Sequence, residues 1–398
     1  MRDLVARFGS PLYVYQLDRI ADAHADLCSA LPQPSTLYYS VKANPHPDLV
    51  RALGRAGCPV EISSAGEVRA ATAAGAGAAL GDSLYTGPAK TEHEIAVALR
   101  GGVRLFSAES MTDLLRISRA AQQVGVRARC LVRVNAPAVG ATRLRMTGTA
   151  SQFGIDIAQL LADPPWRHDI PGVDIVGAHF FALSNVRDEA SLLASFGAGI
   201  ATAATLAERG LRLEVLDLGG GFAAPYAEPG DRPRYDLRPA LTAELDARLP
   251  GWRAGRPRIA FESGRYLVGD CGSLVCAAME WKDGFLLLDS GINHLGGIGG
   301  LGRVLRPTAT PLSAGTARAT VVGPLCTPAD VLGRDVPVDP VGTGEPVVFP
   351  NVGAYGLTAS LVGFLSRPAP AEIVLRGTEI VSATRLALVR NDLGDGRL

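Results

Sequence analysis

The sequence predicts an α/β chain, a (β/α)8 TIM barrel with a C-terminal all-β domain, and three observations carry that expectation. Eight short β-rich runs alternate with Ala-rich helical stretches between residues 36 and 265. Side chains suited to chemistry gather where those runs end. Beyond residue 266 the pattern changes to Val-rich strands punctuated by Gly/Pro turns.

The eight runs are LYYSVK (37–42), VEISS (60–64), SLYTG (83–87), VRLFS (103–107), CLVRVN (130–135), IVGAHFF (175–181), LEVLDLGG (213–220) and IAFESG (259–264). Most are nearly continuously apolar or small, as strands buried on both faces should be. Helical stretches fall between them at 65–75, 91–102, 111–125 and 188–210, several closing on Gly. A doubly wound open sheet is the structural rival. It would bring a G-x-G-x-x-G turn after its first strand, and this chain has none there.

The barrel is placed at 24–266. The β-domain takes 267–398 together with 1–23, because PLYVYQL (11–17) precedes the barrel pattern and suits that sheet. Residues 225–240, rich in Pro, Arg and acidic groups, read as a surface loop, and WRAGRPR (252–258) leads into strand eight.

At 398 residues, two domains are the natural expectation. Lys plus Arg equals Asp plus Glu at 39 each, so no net field favours nucleic acid or an anionic membrane. No membrane-spanning helix is expected, for want of a continuous apolar run of ~18 residues. The opening MRDLVARFGSPLYVY has no apolar core of signal-peptide type, so the expected location is cytoplasmic. The six cysteines form no C-x-x-C pair and read as reduced thiols. The six histidines are scattered without H-x-H or H-E-x-x-H spacing, and no metal site is expected.

The residues at the strand ends are Lys42, Ser63, Ser64, Arg133, Asn135, His179, Ser184, Gly219 to Gly221, Glu262 and Arg265. A lysine ending a buried strand meets a desolvation cost that favours its neutral, nucleophilic form, although a strand-end lysine can also simply snorkel to water. Three glycines after strand seven offer backbone N–H groups to a phosphate, in the place where barrels recurrently bind one. Glu262 and Arg265, three residues apart, suit a protonated pyridine nitrogen and a phosphate, or else each other as a surface pair. Tyr355 sits in a Gly-flanked turn where its hydroxyl could reach a phosphate. Cys326 lies in a Pro-bounded turn rather than on an apolar face, and a thiol there can deliver a proton; Asp330 can orient that loop.

In order along the chain, YYSVKANP, SSAGE, RVN, SQFGID, LDLGGGF, ESGR, GPLCTPAD and GAYG resemble the fold-type III pyridoxal-phosphate (PLP) decarboxylases. That group includes the ornithine, diaminopimelate and arginine decarboxylases. The resemblance implies an alanine racemase-like barrel carrying PLP, a β-domain, and a head-to-tail homodimer with shared active sites. It implies a Schiff base on Lys42 and pairing of Glu262 with the ring nitrogen. Ser184, Gly219, Gly220, Gly221, Gly264, Arg265 and Tyr355 would hold the phosphate. Glu61, Arg133 and His179 would sit beside the ring, with Cys326 and Asp330 reaching the substrate from the other subunit.

Two departures narrow the expectation. FFALSN stands where many relatives read H-x-G-S, which leaves His179 or Phe181 to stack on the ring. Cys326-Thr327-Pro328 replaces the C-E-S of diaminopimelate decarboxylases and removes a carboxylate expected near a distal amine. With SQFGID (151–156) and LDSGINHLGGIGGLGRVLRP (288–307), this resembles a specialised-biosynthesis branch, some members of which act on glutamyl groups tethered to a carrier protein. The implied reaction is decarboxylation through a quinonoid, with Cα protonated by Cys326. The alternatives are a diaminopimelate or basic amino-acid decarboxylase of primary metabolism, an amino-acid racemase, and a non-catalytic PLP-binding protein.

Overall fold

The computed structural model describes residues 1–75, 80–135, 151–296, 309–313, 315 and 317–391. The chain divides into two compact units. One comprises Asp18–Ala224 and Asp231–Gly269; the other comprises Met1–Leu17, Pro225–Gly230 and Asp270–Leu398.

The first unit is a closed barrel of eight parallel strands: β1 (Ser35–Ser40), β2 (Val60–Ile62), β3 (Leu84–Tyr85), β4 (Leu105–Ala108), β5 (Ala128–Asn135), β6 (Val173–His179), β7 (Val215–Asp217) and β8 (Arg258–Ser263). Each pairs with its sequence neighbours, and β8 pairs with β1 to close the ring. Tyr38, Leu84, Leu105, Leu131, Val176, Val215 and Ala260 meet inside and fill the interior. This packing explains why the strands read as unbroken apolar runs: one face points into the barrel and the other meets the helices.

Helices return the chain between strands, and their starts carry side-chain caps. Ser64 caps Ala65–Ala73, Thr91 and Glu94 form a capping box on Glu92–Arg100, and Ser110 caps Met111–Val124. Ser64, a candidate reactive group by sequence, is thereby committed to Glu67 N.

Glu189–Glu208 corrects the expectation about apolar runs. By length and composition it qualifies as a membrane-crossing segment, with an 18-residue window of mean hydropathy 1.5. Its Leu192, Phe196, Ile200, Ala203 and Leu206 recur at helical spacing and are buried, as on a core-facing helix. The abundant Ala, Gly, Ser and Thr had concealed a long charge-free stretch.

Among the described residues, the second unit forms an eight-stranded sheet. Leu12–Gln16 lies antiparallel to Gly272–Lys282 and parallel to Ala371–Arg376, so the first strand of the chain does join this sheet. Alternate residues Leu12, Val14, Ala371, Ile373 and Leu375 bury one face. Val331–Val338 is an additional edge strand, paired to Ala317–Val322, that sequence reasoning passed over. Gly333, Asp335 and Pro337 interrupt its alternation, and the pairing itself carries register shifts.

Candidate active site

Only three lysines occur in the chain: Lys42, Lys90 and Lys282. Lys90 is buried against Asp113 at 2.5 Å, and Lys282 is exposed on the sheet unit. Lys42 alone ends a barrel strand, in the single turn Val41–Ala43 that follows β1. Its ammonium meets both oxygens of Glu61, on β2, at 3.0 and 2.9 Å. Burial would raise the Glu61 pKa, but the Lys42 charge and hydrogen bonds from Ser40, Thr86 and Lys42 outweigh it and hold the carboxyl at about 2. Ser63 Oγ donates to the same Glu61 carboxylate at 3.2 Å. One step outward, Glu67 accepts the Ser63 amide at 2.6 Å. Burial and the neighbouring Glu61 charge push its pKa to about 7.

The ends of β6, β7 and β8 bring His179, Asp217 and Glu262 together, all buried, with one ligand-type atom of each lying within 4.8 Å of the others. His179 Nδ1 is 2.7 Å from Ser107 Oγ. Its Nε2 is 3.2 Å from Glu262 Oε1, in ion-pair reach but outside hydrogen-bond geometry. Burial disfavours the imidazolium, while the Glu262 and Asp217 charges favour it, and the net effect raises the His179 pKa. Linear spacing offered no sign of this cluster, because it is made across three strands.

The glycine loop leaves β7 directly beside these groups. Gly219 has φ +71, and a Cβ there would collide with the Phe180 carbonyl and come within 2.9 Å of the Phe181 ring. A Cβ on Gly220 would run into the Glu262 carbonyl. Glu262 N also donates to the Gly219 carbonyl at 2.8 Å, so loop and acid share backbone contacts. Val186 N reaches the Gly221 carbonyl at 2.8 Å, which draws the segment containing Ser184 alongside the loop. Gly264 brings the end of β8 close against Ser40 and Ala43, on either side of Lys42 in the chain, and Arg265 follows it.

Arg133, at the end of β5, is fixed by Glu109 Oε1 at 2.7 Å, while Glu109 Oε2 accepts the Gly154 amide at 2.7 Å. Its guanidinium lies 4.6 Å from the Phe153 ring centre and 6.0 Å from that of Phe181. Lys42 Nζ is also 6.0 Å from the Phe181 ring. Phe181 therefore stands between the lysine, the arginine and the glycine loop.

The sheet unit carries the remaining sequence candidates. Cys326 is exposed. Asp330 is buried: its two oxygens accept Ile292 N and Leu325 N, each at 2.8 Å. The carboxylate thus ties its own turn, through Leu325, to the segment carrying Ile292. Tyr355 has φ +54, and its carbonyl accepts the Tyr226 hydroxyl at 2.7 Å. Of the stretch 288–307, residues 297–307 lie outside the described residues.

Sequence reasoning missed Thr86, Glu109 and Asp217 as site residues. Asp217 had a legible signal, a charged residue inside an otherwise apolar buried strand. Thr86 and Glu109 had none, since their contacts join different strands.

The barrel residues fit a phosphorylated pyridine carbonyl cofactor. Among the described residues, the buried atoms His179 Nε2, Glu262 Oε1, Asp217 Oδ2 and Arg133 Nε have no hydrogen-bond partner. Such orphans are costly in a dry interior and mark where a polar group belongs. The glycine loop supplies side-chain-free backbone next to them, and Lys42 supplies the amine.

Known proteins give the same answer. A family model described as "Pyridoxal-dependent decarboxylase, pyridoxal binding domain" matches residues 17–269. The L-glutamyl-[BtrI acyl-carrier protein] decarboxylase of Niallia circulans is 30% identical, over 94% of this chain and 90% of that protein. A diaminopimelate decarboxylase of Neisseria meningitidis serogroup A is 31% identical, over 94% and 92%. The fold also matches that of a Helicobacter pylori diaminopimelate decarboxylase complexed with L-lysine, with a TM-score of 0.82 and 23% identity over 95% and 94% of the two chains.

Proposed function

The chain belongs to the pyridoxal-dependent decarboxylase family and uses pyridoxal phosphate to decarboxylate an amino-acid substrate; on that premise we propose that Lys42 carries the cofactor and that the substrate is an amino-acyl group of specialised biosynthesis. The observation that carries the cofactor assignment is the placement of Lys42. It is the one lysine of three that ends a barrel strand, on the same rim as the glycine loop and Glu262. Support for the substrate class comes from the carrier-protein relative and from Thr327 and Pro328, which stand where diaminopimelate decarboxylases carry Glu-Ser after this cysteine.

Bound through Lys42, pyridoxal phosphate supplies an electron sink for the bond that carbon dioxide leaves behind. The protein's residues then divide the remaining work. Glu61 holds the Lys42 amino group as an ion pair whenever that amine is released. Glu262 would lie at the ring nitrogen and favour its protonated form. The amides of Gly220 and Gly221, with Ser184, Gly264 and Arg265, would hold the phosphate, while the Gly219 amide is taken by Asp217 Oδ1. Phe181 would cover a ring face and exclude water, since His179 is turned to Glu262 and Ser107. Arg133 is oriented beside the ring by Glu109. Cys326 returns a proton to Cα as the partner's contribution to a site shared across a homodimer, with Asp330 setting the turn that presents it.

The test is carbon dioxide release by PLP-loaded protein. Substrates are free lysine, ornithine, arginine, diaminopimelate and glutamate, alongside glutamate tethered to a carrier protein. Release from the tethered substrate alone supports the proposal. Release from free diaminopimelate or a free basic amino acid places the enzyme in primary metabolism instead.

A further inference from the structure

We propose that Asp217 is a positioning residue that keeps Glu262 aligned with the glycine loop. The inference rests on the cofactor assignment above and deepens it.

Asp217 is the last residue of β7 and is fully buried. Strand register sets it opposite His179 on β6 and Ala260 on β8, two residues before Glu262. Its Oδ1 accepts the Gly219 amide at 2.8 Å and so fixes the entry to the glycine loop. Its own carbonyl accepts Phe180 N at 2.8 Å, which anchors the residue preceding Phe181. The other oxygen, Oδ2, has no hydrogen-bond partner among the described residues, and neither do His179 Nε2 and Glu262 Oε1.

Two carboxyl groups this close in a dry interior do not both stay ionised without cost. The groups acting on Asp217 are Glu262 and His179 on the two neighbouring strands, β8 and β6, Glu61 on the more distant β2, and the Gly219 amide on its own loop. The Tyr38 hydroxyl on β1 also senses its charge. Burial and the Glu262 charge push the Asp217 pKa to about 7, against the pull of His179 and the Gly219 amide. A proton on Asp217 relieves the repulsion between the two carboxyl groups. It also gives the buried Oδ2 a proton to donate.

The experiment compares holoenzyme with the Asp217→Asn and Asp217→Ala variants, by titrating PLP into each and following the absorbance of the lysine-bound cofactor against pH. Asn preserves an acceptor for Gly219 N and a neutral donor. We expect its PLP affinity to stay within about 3-fold of wild type, while Ala weakens it by about 10-fold or more. The absorbance of the wild-type holoenzyme should show a titration that the Asn variant lacks. A purely structural role would leave that titration in place. Asn weakening PLP as much as Ala, or keeping the wild-type titration, overturns the inference. If Ala does not fold, the Asn variant alone decides. Failure of wild-type protein to form any lysine-bound cofactor would instead remove the site assignment, and this inference with it.

Discussion

Glu61 takes the Lys42 ammonium on both of its carboxylate oxygens, at 3.0 and 2.9 Å, and is itself wholly buried while the lysine side chain remains 40% exposed. The pair joins β1 to β2 at the barrel rim. It gives the nucleophilic amine a fixed resting place with access to the solvent side.

The Glu61 carboxyl sits at about 2, below its ordinary 4.5, so its ionised form is favoured by folding. That contribution is complete above pH 4.5 and is lost as pH falls through 2. Glu61→Gln should therefore flatten the acid limb of the stability curve, by on the order of 1–2 kcal/mol given the partly exposed lysine. Urea midpoints of apoprotein against pH measure this.

Glu67 has the opposite sign. Its carboxyl is raised to about 7 from 4.5, so the native state holds the proton more tightly than the unfolded chain. Stability falls as pH rises between those values and is then level. Glu67→Gln keeps an acceptor for Ser63 N and should be the more stable protein at pH 8, by about 1–2 kcal/mol. Thermal melts at pH 5 and pH 8 separate the two cases.

Gly220→Ala should weaken PLP binding by at least ~10-fold, because the new methyl group meets the Glu262 carbonyl. The strain should also cost about 1–3 kcal/mol of stability. Cofactor titration and melting of the same variant test both effects.

Cys326→Ala should continue to release carbon dioxide while producing less amine than carbon dioxide, since the exposed thiol is assigned the return of a proton to Cα. Wild-type protein should give equal amounts. Quantifying both products from one reaction checks the assignment.

Much of the barrel could be read from sequence because its strands are buried on both faces. LYYSVK and IAFESG became Ser35–Ser40 and Arg258–Ser263, shifted by one or two residues where the apolar runs pass into turns. Val331–Val338 escaped notice because an edge strand can tolerate Gly333 and Pro337, which erase the alternation. The structure brings Lys42, Glu61, Arg133, His179, Phe181, the glycine loop and Glu262 to one rim of the barrel, from motifs more than 200 residues apart in sequence. Partnerships such as Arg133 with Glu109, or Asp217 with Gly219 and Glu262, depend on strand register. They become visible only when the barrel closes.

The most direct test of the account is borohydride reduction of PLP-loaded protein followed by peptide mapping. The account predicts a phosphopyridoxyl label on the peptide containing Lys42, and Lys42→Ala protein that takes no label and loses carbon dioxide release by at least ~10²-fold. A label on Lys90 or Lys282, or undiminished single-turnover release by Lys42→Ala, would contradict it.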